Sequence, residues 1–223
     1  MTSFNFPYAV LPGEIQGFKR GSPEYLALYR KIQGGILAHL KEKGWLEKCY
    51  TYWVDEPPIA TYPSVKEGME FIRANLPGLR ALLTLNLEPA PNPYFYGCVD
   101  IWVPVFSAYH PQRARERQAA GERVWWYVCT MPRFPFPNNF IDHPAINHRI
   151  HFWMMEKYGV DGSLYWSMTY WAYKNPWRDP MSYSRPDHKG ETFGNGDGFL
   201  LYPPACEPPS EPVIAGPINS IRM

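Results

Sequence analysis

The sequence contains little charge and no run of one sign. Charged residues make up 19% of its 223 residues, and the formal net charge is +1. Proteins that bind nucleic acids usually carry a basic patch or stripe, and no cluster of lysine and arginine occurs along this chain. The composition therefore argues against a polyanionic partner, and we expect no nucleic-acid binding.

Long apolar runs and targeting signals are also absent from the sequence. No apolar stretch approaches the roughly 20 residues that a bilayer-spanning helix needs, and the first residues do not resemble a secretory signal. We therefore expect no contact with a membrane. The sequence leaves the cellular compartment and the oligomeric state open.

The familiar motifs for metal ions, phosphates and a nucleophilic serine are missing. The chain has no HExxH, P-loop, GxGxxG or GxSxG, and GNGDG (194–198) is interpreted as a loop. His148 and His151 lie three apart on a predicted helix, but Arg149 and Phe152 interrupt any ligand cluster. The four cysteines have no paired spacing, which favours free thiols. We therefore expect neither a metal site nor a cofactor.

Aromatic residues and prolines, in contrast, are abundant. Aromatic residues make up 17% of the chain, with 9 tryptophans and 16 tyrosines, and there are 25 prolines. Aromatic faces stack on sugar rings, so this composition fits a carbohydrate binder, although a large aromatic core is the commoner reason. The prolines cluster between apolar segments and predict stiffened loops.

Strand-like and helix-like segments alternate along the chain. Predicted strands, apolar on both faces, cover 49–54, 80–87, 97–106, 124–131 and 162–171. Predicted helices cover 23–43, 63–76, 110–121 and 143–158. This alternation is typical of an α/β fold in which helices cover a parallel sheet.

Five strands are too few for a complete (β/α)8 barrel, which needs eight strands and about 250 residues. We interpret residues 1–223 as a single catalytic-type domain, the C-terminal part of a TIM-barrel-like fold that lacks its first strands and last helix. An open five-stranded sheet is the alternative.

Apolar spacing predicts which face of each helix is buried. On the first two helices the predicted stripes are Tyr25, Leu28, Ile32, Ile36 and Leu40, then Val65, Met69, Ile72 and Leu76. On the last helix the predicted stripe is Ile146, Ile150, Trp153 and Met154. For that helix, Asp142 is interpreted as the N-cap rather than a chemical group, and Gly159 as the C-cap.

Two adjacent carboxylates follow an aromatic strand in the segment CYTYWVDEPP (49–58). Acidic residues are poor strand formers and neighbouring like charges repel, so Asp55 and Glu56 need a reason to be there. Active residues of barrels lie at the carboxyl ends of strands, where this pair is predicted. Neighbours on a regular strand point to opposite faces, so the pair shares a pocket only if the chain has already bent, as Pro57 favours. A solvated acidic loop is the alternative.

Several stretches together resemble the catalytic barrel of glycoside hydrolase family 123, the N-acetyl-β-galactosaminidase type. They are YTYWVDEP (50–57), VDIWVP (99–104), WWYVCTMP (125–132), NNFIDHPAINHRIHFWMMEKYGVDGSLYW (138–166), GDGFLLYP (196–203) and GPINSIR (216–222). Their order and spacing make the resemblance specific. Members of that family are longer, with an upstream β-sandwich, further barrel strands and a C-terminal helix.

The resemblance implies a retaining hydrolase that uses substrate-assisted catalysis, a known exception to the usual two-carboxylate scheme. It implies Glu56 as general acid/base and Asp55 as the residue that assists the acetamido group of the substrate. An ionised Asp55 would also favour the protonated form of Glu56, as a general acid requires.

Four further residues are candidates for substrate binding. Asp100 is a charge within an apolar strand, so it either faces the pocket or forms a structural salt bridge. Trp102 shares its strand face and either lines the pocket or packs in the core. Tyr127 and Trp166 come from the next two strands, and Trp166 could form the floor under a sugar ring. We expect Asp55, Glu56, Asp100 and Trp166 at one end of the sheet.

The implied substrate is a carbohydrate that contains β-linked N-acetylhexosamine, with GalNAc as the leading candidate. The alternatives are a non-catalytic carbohydrate-binding remnant of such a barrel and a glycosidase of different sugar specificity, because a shared fold does not determine function.

Overall fold

The computed structural model describes residues 3–7, 9, 13–170, 175–182, 194–204, 216–220 and 222. The chain divides into two compact units, residues 1–104 with 108–124 and residues 105–107 with 125–223. No helix within the described ranges is long and apolar enough to cross a membrane.

The first unit is built on a five-stranded sheet in which every pairing is parallel. Its strands, neighbours in chain order, are β1 (Phe4–Asn5), β2 (Cys49–Tyr52), β3 (Arg80–Leu85), β4 (Ile101–Pro104) and β5 (Arg123–Val124). The predicted α/β fold with a parallel sheet is thereby confirmed, while closure into a barrel stays a prediction. The strand β1 was not predicted from the sequence.

Three helices connect these strands, namely α1 (Pro23–Glu42), α2 (Tyr62–Asn75) and α3 (Pro111–Ala119). Ser22 caps α1 by accepting a hydrogen bond from the backbone N–H of Tyr25, and Pro23 occupies the first turn. A short hairpin pairs Glu14–Ile15 with Phe18–Lys19. Short 3-10 turns occupy Leu46–Lys48, Ile59–Thr61, Pro93–Phe95 and Phe106–Ala108.

The helices cover one face of the sheet in the first unit. The predicted stripe of α2 is confirmed, because Val65, Met69, Ile72 and Leu76 are all buried. The stripe of α1 was partly wrong, since Ile32 is 43% exposed and the buried set is Tyr25, Tyr29, Gln33, Leu37 and Leu40. Tyr29 determines this rotation, because its hydroxyl donates to the carbonyl of Ala9 at 2.7 Å and its ring packs on Phe71.

Alternate residues of the central strands point to the two faces of this sheet. Leu83, Leu85 and Trp102 pack with α2 in one core cluster. Leu82 and Val103 belong to the alternate set and are buried as well. Burial on both faces explains why these strands are continuously apolar in sequence.

The second unit contains a separate parallel pair, β6 (Trp126–Val128) with β7 (Ser163–Tyr165), and the helix α4 (Asn147–Tyr158). A single parallel bridge joins Val105 to Tyr127. Two antiparallel pairs complete the described part of this unit, Met181–Ser182 with Gly194–Asn195 and Leu201–Tyr202 with Ile218–Asn219. Successive predicted strands contain segments that pair in parallel, but the predicted strand 124–131 is not continuous: Val124 belongs to β5 and 126–128 form β6, in two different sheets.

Helix α4 differs from its prediction at both its start and its buried face. It begins at Asn147, after Ile146, so the N-cap assignment of Asp142 is wrong; that carboxylate instead accepts hydrogen bonds from the backbone and side chain of Asn195. Gly159 is the C-cap as predicted, with φ of +64°. The buried side chains are two histidines, His148 and His151.

The apolar stripe predicted for α4 was also wrong, because Ile146 is 57% and Trp153 is 70% exposed. Specific polar contacts hold the histidine face inward. The ring of His148 lies 3.2 Å from the carbonyl of Asn138, and His151 accepts a hydrogen bond from the indole of Trp126. Spacing of apolar residues cannot reveal a helix that buries polar aromatic rings.

Candidate active site

The two adjacent carboxylates lie beyond the carboxyl end of β2, three and four residues after its last residue, Tyr52. Glu56 has a φ of +42°, a left-handed value that is uncommon for a residue other than glycine. This turn allows Asp55 and Glu56 to contact the same neighbouring strand, although successive residues of a regular strand point to opposite faces. The predicted bend before Pro57 is confirmed.

Asp55 is held through one of its two carboxylate oxygens. The hydroxyl of Tyr52 donates to Oδ1 at 2.5 Å, and the hydroxyl of Thr84 donates to the same oxygen at 3.0 Å. Oδ2 accepts no hydrogen bond from the described residues, and the Asp55 side chain is exposed. Among the described residues, Asp55 is therefore fixed in orientation through Oδ1 alone.

Glu56 is held at both its backbone and its side chain. Its backbone N–H donates to the hydroxyl oxygen of Thr84 at 2.9 Å, and the amide of Asn86 donates to its Oε2 at 2.8 Å. Thr84 and Asn86 belong to β3 and to the residues directly after it. The carboxyl ends of two adjacent parallel strands therefore supply every contact described here.

The ionisation of Tyr52 supports its role as a donor. Burial raises the pKa of Tyr52, and the hydrogen bond to the Asp55 carboxylate raises it further. The phenol therefore keeps its proton across the neutral range and donates it to Asp55. A phenol that stayed ionised would repel the carboxylate instead.

A cavity of about 430 Å³ opens between the residues that follow β1 and the end of β2. It is lined by Asn5, Phe6, Pro7, Ala9, Thr51, Tyr52 and Trp53. Its volume lies within the range of roughly 300–1,000 Å³ that is typical of small-molecule sites. Tyr52 thus belongs both to the wall of a cavity and to the support of Asp55.

The structure does not bring Asp100 to this pair. Asp100 directly precedes β4, and its carboxylate accepts from Arg73 of α2 at 2.9 Å and from the backbone N–H of Ala81 at 2.7 Å. These partners lie at the amino end of the sheet and on its helix-covered face. Of the two roles considered for Asp100, the structure supports the salt bridge. The expectation that Asp100 shares one end of the sheet with Asp55 and Glu56 was wrong.

Trp102 packs in the core, which was the second of the two positions considered for it. Its side chain is fully buried, and its indole N–H donates to the Glu122 carboxylate at 2.6 Å. Tyr96 packs edge-on against the ring. Because even-numbered residues of β4 face the helices, the pattern of alternation excludes Trp102 from the face that carries Thr84.

In the second unit, Tyr127 is 3% exposed and lies within β6, whereas Trp166 is 36% exposed and directly follows β7. The indole N–H of Trp166 donates to Asp197 at 3.1 Å, and its ring packs on Tyr170. Trp166 therefore presents a partly exposed ring whose orientation is fixed. Tyr127 is an interior residue.

Asp197 is a buried carboxylate that sequence analysis treated as part of a loop. It is fully buried, and its Oδ1 also accepts from the hydroxyl of Tyr165 at 2.8 Å. Burial raises the pKa of Asp197, and the two hydrogen bonds partly oppose that effect. Gly198, with φ of +76°, allows close contact here, because a Cβ on it would come within 2.7 Å of the Trp166 ring.

Comparison with known proteins identifies the family. The family model described as glycoside hydrolase 123, catalytic domain, matches residues 12–223. The chain belongs to glycoside hydrolase family 123. No match was found among curated proteins.

A solved structure of a family 123 glycoside hydrolase from Clostridium perfringens, described in terms of glycolipid glycan hydrolysis, resembles this fold with a TM-score of 0.60. The sequences are 21% identical, and the match covers 89% of this chain and 33% of that one. This family 123 chain therefore spans about a third of the length of that enzyme.

Three polar residues of this family 123 site were not identified from the sequence, although the position of each in the sequence indicated it. Thr84 and Asn86 are alternate polar residues in the apolar run RALLTLNL, so they share one strand face next to the pair. Tyr52 lies three residues before Asp55 at the end of its strand. Polar side chains on the final residues of adjacent strands could have been grouped with the carboxylates.

The candidate site shows no metal-ligand arrangement. Within the described part of the chain, no three histidine, cysteine, aspartate or glutamate side chains are grouped to hold a metal ion. The two helical histidines are occupied by packing and by hydrogen bonds to Asn138, Trp126 and Ser163. The chemistry available at the site is that of two carboxyl groups held by neutral donors.

Proposed function

We propose that this family 123 chain carries the catalytic pair of a retaining glycoside hydrolase that cleaves β-linked N-acetylhexosamine, with GalNAc as the substrate sugar. The observation that supports this most strongly is the convergence of Asp55 and Glu56 on the same neighbouring strand. A glycan carried on a lipid is one candidate natural substrate, by analogy with the Clostridium perfringens relative.

In the first step, the carbonyl oxygen of the substrate acetamido group attacks the anomeric carbon. The bond from that carbon to the leaving oxygen breaks, and protonated Glu56 donates its proton to the leaving oxygen. The product is an oxazolinium ion. Asp55 accepts the acetamido N–H through its oxygen Oδ2, and its charge stabilises the positive charge that develops.

In the second step, the ionised Glu56 takes a proton from a water molecule that attacks the anomeric carbon. The oxazolinium ring opens and the acetamido group is restored. Two inversions at the same carbon give a product with the original β configuration. Glu56 ends protonated and ready for another cycle.

The supporting residues suit these roles. Tyr52 and Thr84 hold Asp55 through Oδ1 and so leave Oδ2 for the substrate. The Asn86 N–H can donate a hydrogen bond to ionised Glu56. After a rotation of the amide, the Asn86 oxygen can accept a hydrogen bond from protonated Glu56. The same side chain therefore supports both the acid and the base form.

Trp166 is assigned to sugar binding in this proposal. Its exposed ring can stack on the apolar face of a galactose-type ring, and its hydrogen bond to Asp197 restricts its rotation. Fixed aromatic rings lose little entropy when a ligand binds.

The test compares an aryl β-N-acetylgalactosaminide with the aryl β-galactoside that has a hydroxyl in place of the acetamido group. We expect the first to be hydrolysed with release of the β-anomer, as proton NMR of the initial product can determine, and the second not to turn over. Binding without turnover would instead indicate a carbohydrate-binding remnant. Equal cleavage of both substrates would mean that a protein carboxylate is the nucleophile.

A further inference from the structure

Thr84 is the residue whose side chain contacts both members of the catalytic pair. Its hydroxyl oxygen lies 3.0 Å from Asp55 Oδ1 and 2.9 Å from the backbone nitrogen of Glu56. The side chain itself is 1% exposed and belongs to an otherwise apolar strand, between Leu83 and Leu85. A buried hydroxyl in such surroundings is costly unless it is hydrogen-bonded, and both members of the catalytic pair supply bonds to it.

The direction of each hydrogen bond follows from the number of protons. The backbone N–H of Glu56 can only donate, so the Thr84 oxygen accepts that bond. The single proton of the Thr84 hydroxyl is then donated to Asp55. The Tyr52 hydroxyl lies 3.2 Å from Thr84 and directs its own proton to Asp55 at 2.5 Å. One hydroxyl thus accepts from Glu56 and donates to Asp55 at the same time.

The bond to Glu56 acts on an unusual backbone conformation. A left-handed φ in a residue other than glycine is unfavourable and persists only where the surroundings hold it. Glu56 has this conformation, with φ of +42°, and its N–H is held by Thr84. Loss of the hydroxyl would allow Glu56 to relax toward the extended region, which turns its carboxyl away from Asn86.

We infer that Thr84 is a positioning residue, which uses one hydroxyl to hold the acid Glu56 and the assisting carboxylate Asp55 in a common orientation. This inference rests on the proposed function, because it gives the two carboxylates their separate roles. Thr84 itself touches neither the sugar nor the water in this scheme. Its effect should therefore appear in the chemical step more than in substrate affinity.

The test uses three variants of the full chain. Thr84→Val keeps the shape of the side chain and removes the hydroxyl. Thr84→Ser keeps the hydroxyl and removes one methyl group. Ile101→Val is the matched control, because it also removes one methyl group from a buried strand residue, and Ile101 of β4 is not among the residues that line the cavity.

For hydrolysis of the aryl β-N-acetylgalactosaminide, we expect Thr84→Val to lower kcat about 100-fold, since small misplacements of catalytic groups have effects of this size. KM should change less than about threefold, because the substrate contacts stay in place. Thr84→Ser should recover most of kcat, and Ile101→Val should match the unmutated protein. Full kcat in Thr84→Val, a loss carried by KM, or equal losses in Thr84→Val and Thr84→Ser would each overturn the inference.

Crystal structures of the unmutated protein and Thr84→Val supply a second measurement that does not depend on turnover. We expect Glu56 to be left-handed in the first and to leave that region in the second. A left-handed Glu56 in both structures would overturn the inference even if turnover is never detected. If Glu56 does move but the unmutated protein shows no turnover, the proposed function fails while Thr84 still determines the geometry of the pair.

Discussion

The indole ring of Trp53 lies against Gly68 so closely that a Cβ on Gly68 would come within 2.0 Å of it. Gly68 is in the interior of α2, where glycine is disfavoured relative to alanine by about 1 kcal/mol. The missing side chain is what allows the ring to cross the helix. Because Trp53 lies two residues before Asp55, this contact also supports the end of the strand that carries the pair.

Gly68→Ala should therefore destabilise the protein by about 1–2 kcal/mol, because the cost of displacing a packed ring exceeds the gain in helix propensity. Chemical denaturation measures the free energy of unfolding. Gly35→Ala in α1 is the control, since a Cβ there meets no atom within 4 Å, and it should stabilise by roughly 0.5–1 kcal/mol. Equal stabilisation by both variants would show that the ring does not depend on Gly68.

Replacement of each carboxylate should separate the two catalytic roles proposed for Asp55 and Glu56. Glu56→Gln removes the proton donor, so it should slow substrates with poor leaving groups far more than substrates with good ones. Asp55→Asn keeps an oxygen for Tyr52 and Thr84 but removes the charge that faces the oxazolinium, so it should slow all substrates by a similar factor. The measurement is the slope of log kcat against the pKa of the leaving group, recorded for each variant with a series of aryl N-acetylgalactosaminides. Identical slopes for the two variants would contradict the separate roles.

Trp166→Ala should weaken sugar binding roughly fivefold, mainly as a higher KM, because stacking of an aromatic face contributes about 1 kcal/mol. Trp45→Ala is the control, since Trp45 is also exposed, at 49%, and directly precedes the 3-10 turn Leu46–Lys48 at the amino end of β2. Isothermal titration with N-acetylgalactosamine measures both variants. Unchanged affinity in Trp166→Ala would contradict the assignment of this residue to sugar binding.

The pH dependence of stability should report the buried histidine His151. Burial lowers the pKa of His151 to about 4, because its imidazole is enclosed while it accepts from Trp126. Between pH 6.5, the ordinary pKa of histidine, and about pH 4, the unfolded chain binds a proton that the folded chain does not. Stability therefore falls as pH drops from about 6.5 toward 4, by on the order of 2–3 kcal/mol for this group, and is unaffected by it above that window.

His151→Gln should reduce the slope of the free energy of unfolding against pH between pH 6.5 and 4. Denaturation curves recorded at several pH values measure this slope. Some slope should remain, because burial also lowers the pKa of His148. His39→Gln alters an exposed histidine of α1 and should keep the slope of the unmutated protein. A slope that is unchanged in His151→Gln would show that this imidazole does not titrate in the window.

Sequence periodicity determined the order of strands and helices and the position of Asp55 and Glu56 at a strand end. The strands that are apolar on both faces and the regularly spaced apolar residues of α2 are local patterns. They could therefore be predicted from neighbouring residues in the sequence. The same patterns failed for α4, because it buries histidines that are satisfied by Trp126, Ser163 and Asn138, and those partners are distant in sequence.

Tertiary structure alone decided which polar residues join the carboxylates. Parallel pairing sets Tyr52 opposite Leu82, which brings Thr84 and Asn86 level with the residues that follow β2. It also turned Asp100 toward Arg73 and the helices. The alternation of side chains is visible in sequence, but the register between strands and the left-handed turn at Glu56 depend on contacts that form only in the folded chain.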